Sequence, residues 1–172
     1  MAKPLHIVNN LPTEVPAVSV SAGVADAGKL PELDGNGRLS VSMMPTGVAA
    51  DVKIIQASES LAAGDFVNIH DVAGATRVRL ANASSGAATR AHGYVLDNVT
   101  TGTNATVYFE GANTQVTGLT SGLNYVLSNV TPGKLLVLAS APTTAGHILQ
   151  ELGVADATTE LNVEIGKPIV RG

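Results

Sequence analysis

Residues 61–67, Leu61-Ala62-Ala63-Gly64-Asp65-Phe66-Val67, place small residues and a glycine directly ahead of an apolar run. Glycine admits the positive φ that a tight turn requires, so the run reads as a strand launched from that turn. The arrangement recurs at Leu119-Thr120-Ser121-Gly122-Leu123-Asn124-Tyr125-Val126. It returns more loosely at Thr144-Ala145-Gly146-His147-Ile148-Leu149. The copies keep no fixed period, so they are a repeated local solution and not a solenoid.

Outward from these turns the pattern is all strand. Candidate strands are Val52–Ala57, Phe66–His70, Thr76–Leu80, His92–Val99, Ala105–Glu110, Thr114–Val116, Asn124–Ser128, Lys134–Leu138, His147–Val154 and Leu161–Ile165. They are short, rich in Val, Ile, Leu and Thr, and punctuated by Gly, Asn, Asp, Ser and Pro. The best helical candidate, Ala81–Ala88, is too polar and too rich in small residues to hold a helix. The sequence therefore predicts an all-β fold, with a small β-barrel or sandwich over residues 51–172.

Residues 1–50 differ. Five of the eight prolines fall here (Pro4, Pro12, Pro16, Pro31 and Pro45), and each fixes φ and removes a backbone donor. The segment reads as an extended N-terminal arm. Ala17-Val18-Ser19-Val20-Ser21 alternates apolar and polar residues like a short strand. Asp34-Gly35-Asn36-Gly37 signals a tight reversal between Leu30/Leu33 and Leu39/Val41. Ser40–Met44 reads as a helical turn stopped by Pro45.

Composition narrows the function. Aromatic residues are 3% of the 172: Phe66, Phe109, Tyr94, Tyr108 and Tyr125, with no tryptophan. A core without large rings is short of burial, and sharing it between subunits is one remedy. Net charge is −4 and the basic residues are scattered, which argues against a nucleic-acid role. No window approaches the roughly 18 apolar residues of a membrane span, and the first residues do not read as a secretory signal. The chain has no cysteine, hence no disulfide or thiolate metal site.

No constellation of residues points to catalysis. Taking Asp34 as the first ligand of a calcium loop puts Arg38 fifth and Pro45 twelfth, so the ligand set fails. His6, His70, His92 and His147 lie at no metal-ligand spacing, and no cofactor is expected. No serine sits in a Gly-x-Ser-x-Gly elbow. Asp71, Asp97, Glu110, Glu151 and Asp156 read as solvated charges at strand ends.

Two stretches carry a family resemblance. Ala25-Asp26-Ala27-Gly28-Lys29-Leu30-Pro31-Glu32-Leu33-Asp34-Gly35-Asn36-Gly37-Arg38-Leu39-Ser40-Val41-Ser42-Met43-Met44-Pro45 resembles a linker of tailed-bacteriophage fibre and capsid decoration proteins. Ala63–Ile69, Arg90–Val95 and Ala105–Gly111 resemble the small β-domains of phage head-decoration and head-fibre proteins. The resemblance covers about residues 23–172 and implies a homotrimeric virion protein without enzymatic activity. It would be made in the host cytoplasm and placed on the capsid exterior, with the major capsid protein as partner. Leu30, Pro31, Leu33, Leu39, Met43, Met44 and Pro45 are the candidate contacts, to capsid or to a neighbouring subunit. The alternative is that they cap the protein's own barrel. Tail fibres share the linker, so a tail-fibre or receptor-binding module is the second reading.

Overall fold

The computed structural model describes every residue except 1–4, 9, 15, 36 and 45–50, with the backbone alone described at 6, 8 and 41. The chain divides into two compact units, Met1–Ala49 and Ala50–Gly172. Helix among the described residues is confined to four short 3-10 segments. None is long or apolar enough to cross a membrane.

The described residues of the first unit form one hairpin, β1 (Leu5–Val8) and β2 (Leu11–Glu14), in antiparallel register with Leu5 opposite Glu14 and Ile7 opposite Pro12. The alternation at Ala17–Ser21 does not become a strand. Val18 makes a single parallel bridge to Pro31, and nothing extends it.

The second unit carries twelve strands. The first five are β3 (Val52–Gln56), β4 (Phe66–Val72), β5 (Ala75–Leu80), β6 (Gly93–Tyr94) and β7 (Asn104–Tyr108). Then come β8 (Gly111–Asn113), β9 (Asn124–Leu127), β10 (Leu135–Val137), β11 (Ile148–Leu149), β12 (Glu151–Ala157), β13 (Glu160–Val163) and β14 (Ile169–Val170).

The turn read from residues 61–67 recurs more often than the sequence suggested. Asp65 N donates to Ala62 O at 3.1 Å, Leu123 N to Thr120 O at 3.2 Å and His147 N to Thr144 O at 3.2 Å. Thr103 N to Thr100 O at 3.1 Å and Lys134 N to Thr131 O at 3.2 Å add two more. The third residue is always glycine, with φ between 75° and 85°. That is the signature of a type II turn, and Pro132 stands at the position such a turn prefers for proline. The residue after each turn opens β4, β7, β9, β10 or β11.

Two five-stranded antiparallel sheets result, ordered β3-β7-β6-β4-β5 and β10-β9-β12-β13-β8, with β11 and β14 paired beside them. The all-β class agrees with the sequence, but no closed barrel forms. The first sheet curls until Ala57, just past β3, meets Val78 of β5 through one isolated bridge, which is not a ladder. The second sheet ends at β10 on one side and β8 on the other, and no described strand joins the two.

Alternation explains the two cores. Successive strand residues point to opposite faces. Phe66 and Tyr94 face a core shared with Leu127, Leu152 and Leu161 of the second sheet, while Val67 and Val95 face the inside of the curl with Ile55 and Val107. Three of the five aromatic rings adjoin: Phe66 lies tilted against Tyr94 at 6.1 Å, and Tyr94 stacks on Tyr108 at 5.5 Å.

Several expected strands are shorter or displaced, because side chains take over backbone bonding. His92–Val99 shrinks to two residues. His92 Nδ1 accepts the Ile69 N–H at 2.9 Å and so ends the ladder. The expected strand at Thr114–Val116 lies instead at Gly111–Asn113. Asn113 Oδ1 then accepts Gln115 N at 3.1 Å and turns the chain. His147–Val154 breaks at the buried Gln150. Its Nε2 donates to Ala91 O at 2.9 Å and Gly166 O at 3.0 Å, and its Oε1 accepts Ala91 N at 2.8 Å.

Candidate attachment site

The linker-like segment is organised by short polar bonds within the first unit. Asp26-Ala27-Gly28-Lys29 repeats the glycine turn, with Gly28 at φ 83° and Lys29 N donating to Asp26 O at 3.1 Å. The Asp26 carboxylate receives Lys29 Nζ at 2.7 Å and Ala22 N at 2.5 Å. Those two bonds, Lys29 first, hold its pKa below the usual carboxylate range. Val18 N donates to Leu30 O at 3.0 Å and Glu32 N to Val18 O at 2.7 Å, which lays the segment alongside residue 18.

The reversal beyond it forms at Asp34. Asp34 N donates to Arg38 O at 2.8 Å, Gly37 N to Asp34 O at 2.9 Å, and Arg38 N to Asp34 Oδ1 at 2.9 Å. Asn36 lies outside the described residues. The helical turn read at Ser40–Met44 is a 3-10 turn over Val41–Met43, and Ser21 N donates to Ser42 Oγ at 2.9 Å. That bond swings the turn back toward residue 21.

These contacts gather three of the sequence candidates. Pro31, Met43 and Met44 line an open depression of about 410 Å³ with Val18, Asp26 and Lys29. Leu30, Leu33 and Leu39 do not line it. They stand 45%, 58% and 40% exposed. Pro45 lies outside the described residues.

The rest of the protein offers chemistry that the sequence reading missed. Ser58 Oγ lies 2.9 Å from His70 Nε2, a pairing hidden by the sequence separation of 12. The hydroxyl also reaches Val78 O at 3.1 Å. The one hydroxyl proton serves either Val78 O or His70 Nε2, so the imidazole donates to Oγ or accepts from it according to its tautomer. Burial lowers the His70 pKa, with the Arg79 charge adding to it. Asp65 is buried. Its Oδ2 accepts Ala62 N at 2.7 Å, and Lys134 Nζ sits 2.6 Å from Oδ1, an ion pair outside hydrogen-bond alignment. The pair ties the turn before β4 to the turn before β10. Asp71, Asp97, Glu110, Glu151 and Asp156 are all exposed. Among the described residues, no three His, Asp or Glu side chains gather as a metal site.

No protein-family model matches the chain, and no curated protein matches it. The distribution of apolar surface sets the two units apart. Nine of the eighteen large apolar side chains exposed among the described residues belong to Met1–Ala49: Leu5, Ile7, Leu11, Val20, Val24, Leu30, Leu33, Leu39 and Met44. The described part of that unit buries one apolar residue, Ala17.

Proposed function

We propose that the chain is a structural protein of a tailed-phage particle, a capsid decoration or head-fibre protein that binds the major capsid protein and assembles as a homotrimer. One observation carries this reading. The described residues of the first unit expose nine large apolar side chains and bury only Ala17, whereas the second unit buries two apolar clusters. A segment of that kind gains stability only when another surface covers it. It is the attachment arm, and the β-domain is what it displays. Leu30, Leu33 and Leu39 stand out from a framework held by the Asp34 reversal, which suits insertion into pockets of a shell. Extended segments bind in this way by combining backbone bonds with alternate side chains in pockets. The scattered charge and the solvated carboxylates supply no competing chemistry.

The test offers purified protein to capsids that lack it and to host cells. Co-sedimentation with capsids is expected, weakened at least tenfold by Leu33→Asp with Leu39→Asp. Adsorption to cells in place of capsids would favour the receptor-binding module and overturn the proposal.

A further inference from the structure

The apolar layer between the two sheets does not stop where the second sheet stops. Phe66, Tyr94, Tyr108 and Val52 are successive cross-strand partners in one row across the first sheet. Exposure climbs along that row. Phe66 and Tyr94 are buried, Tyr108 is half-buried, and Val52 is 42% exposed. Ile54, two residues further along the same face, is 67% exposed. The row runs out of the core onto the surface at β3.

The strand edge at that place is open. β3 bonds β7 through its odd-numbered residues. Phe109 N donates to Asp51 O at 3.0 Å and Ala57 N to Thr103 O at 2.8 Å. Alternate residues of an antiparallel strand turn their N–H and C=O to opposite sides, so Val52 and Ile54 present theirs to the outer edge. That edge is used further on, where Ser58 N donates to Val78 O at 2.9 Å. No described strand pairs with the outer edge along Val52–Ile54. Natural edges are commonly blunted by lysine, proline or a bulge. Lys53 falls on the opposite face from Val52 and Ile54, so the apolar side is left unguarded.

The leader hairpin has matching chemistry. Leu5 and Ile7 are 70% and 71% exposed and share one face at the same two-residue spacing as Val52 and Ile54. Pro12 lies opposite Ile7, and proline is tolerated in a strand where its nitrogen points off the ladder. Leu5 and Ile7 therefore direct their backbone groups to the free side of β1. A two-stranded hairpin alone is marginal in water, so it gains by joining a larger sheet.

We propose that a second copy of this chain covers the open β3 edge by adding its β1 strand, setting Leu5 and Ile7 beside Val52 and Ile54. The added strand continues the row that begins at Phe66. Passed from copy to copy around a ring, the contact is heterologous and closes with cyclic symmetry. The inference rests on the reading of the chain as a self-assembling structural protein.

The absence of cysteine makes the test clean. Ile7→Cys and Ile54→Cys are co-expressed as separate, differently tagged chains, purified together and mildly oxidised. A disulfide joining the two tags is expected, and Ile7→Cys with Val154→Cys should give none. Ile54→Lys should lower the assembly mass toward the 17.4 kDa monomer with its β spectrum unchanged. If wild type is a multimer and Ile7→Cys with Ile54→Cys gives no cross-link, the inference fails while the self-assembly reading stands. Cross-linking by Ile54→Cys alone, edge to edge, also overturns it. A wild-type mass of 17.4 kDa defeats the self-assembly reading itself.

Discussion

Replacing Gln150 with leucine removes three hydrogen bonds from the interior in one step. The side chains are similar in volume, so packing is nearly conserved and the polar loss dominates. Ala91 N, Ala91 O and Gly166 O lose partners that sat at 2.8, 2.9 and 3.0 Å. Ala91 is 2% exposed, so water does not replace the two bonds there. Gly166 is half-buried and recovers part of its bond from solvent. At about 1–3 kcal/mol for each buried group left unsatisfied, the gross cost is about 3–6 kcal/mol. Burying the extra apolar surface of leucine returns about 1–2 kcal/mol. The net destabilisation is about 1–5 kcal/mol, a large share of the roughly 5–15 kcal/mol available to a domain. Urea unfolding at fixed protein concentration measures it as a lower midpoint with an unchanged slope. A loss below about 0.5 kcal/mol, within the ordinary scatter of surface substitutions, would refute the reasoning that this side chain replaces a strand partner.

Other outcomes follow from single features. Ala73 opens the β4–β5 hairpin at φ 52°, a left-handed conformation costly for alanine. Ala73→Gly should therefore raise stability by up to about 1 kcal/mol in thermal unfolding. A methyl group on Gly93 meets Tyr108 O at 2.5 Å and Val107 Cγ1 at 2.7 Å. Gly93→Ala should cost about 1–3 kcal/mol by chemical denaturation, with weakened near-ultraviolet tyrosine signals. Burial, with the nearby Tyr108 adding, pushes the Tyr94 phenol up to about 12. The unfolded phenol titrates near 10, so between pH 10 and 12 the unfolded chain loses a proton that the folded chain keeps. Stability is whole below pH 10 and falls by up to about 2 kcal/mol as pH rises through 12. Tyr94→Phe should remove that part of the alkaline slope. Burial, then the Arg90 charge, lowers the His92 pKa. Stability should be whole above the unfolded histidine value near 6.5 and decline as pH falls below it, less steeply in His92→Gln.

What the sequence made legible was local chemistry. A glycine after small residues marks a turn whatever surrounds it, and every turn read this way launches a strand. The hairpin β1–β2 was hidden by its prolines, since Pro12 sits at a strand position that tolerates it. The interruptions at His92 and Gln150 were hidden because their partners, Ile69 and Ala91, are named only by the tertiary fold. The failure of the barrel to close was equally invisible, because it turns on whether Ala57 makes one bridge or several. In the linker-like segment, the fold brings together only three of the residues that the sequence marked, Pro31, Met43 and Met44. The gathering of Pro31 with Met43 and Met44 depends on the Ser21–Ser42 bond across twenty-one residues, which no pattern encodes. The emergence of the aromatic row at Val52 needed the register of four strands.

The most direct test of the central claim is electron cryo-microscopy of capsids incubated with the purified protein. The account predicts three copies at each occupied position, with residues 30–44 against the major capsid protein and the β-domain facing outward. Density at the tail alone, or a shell contact made by residues 51–172 with the leader left free, would contradict it.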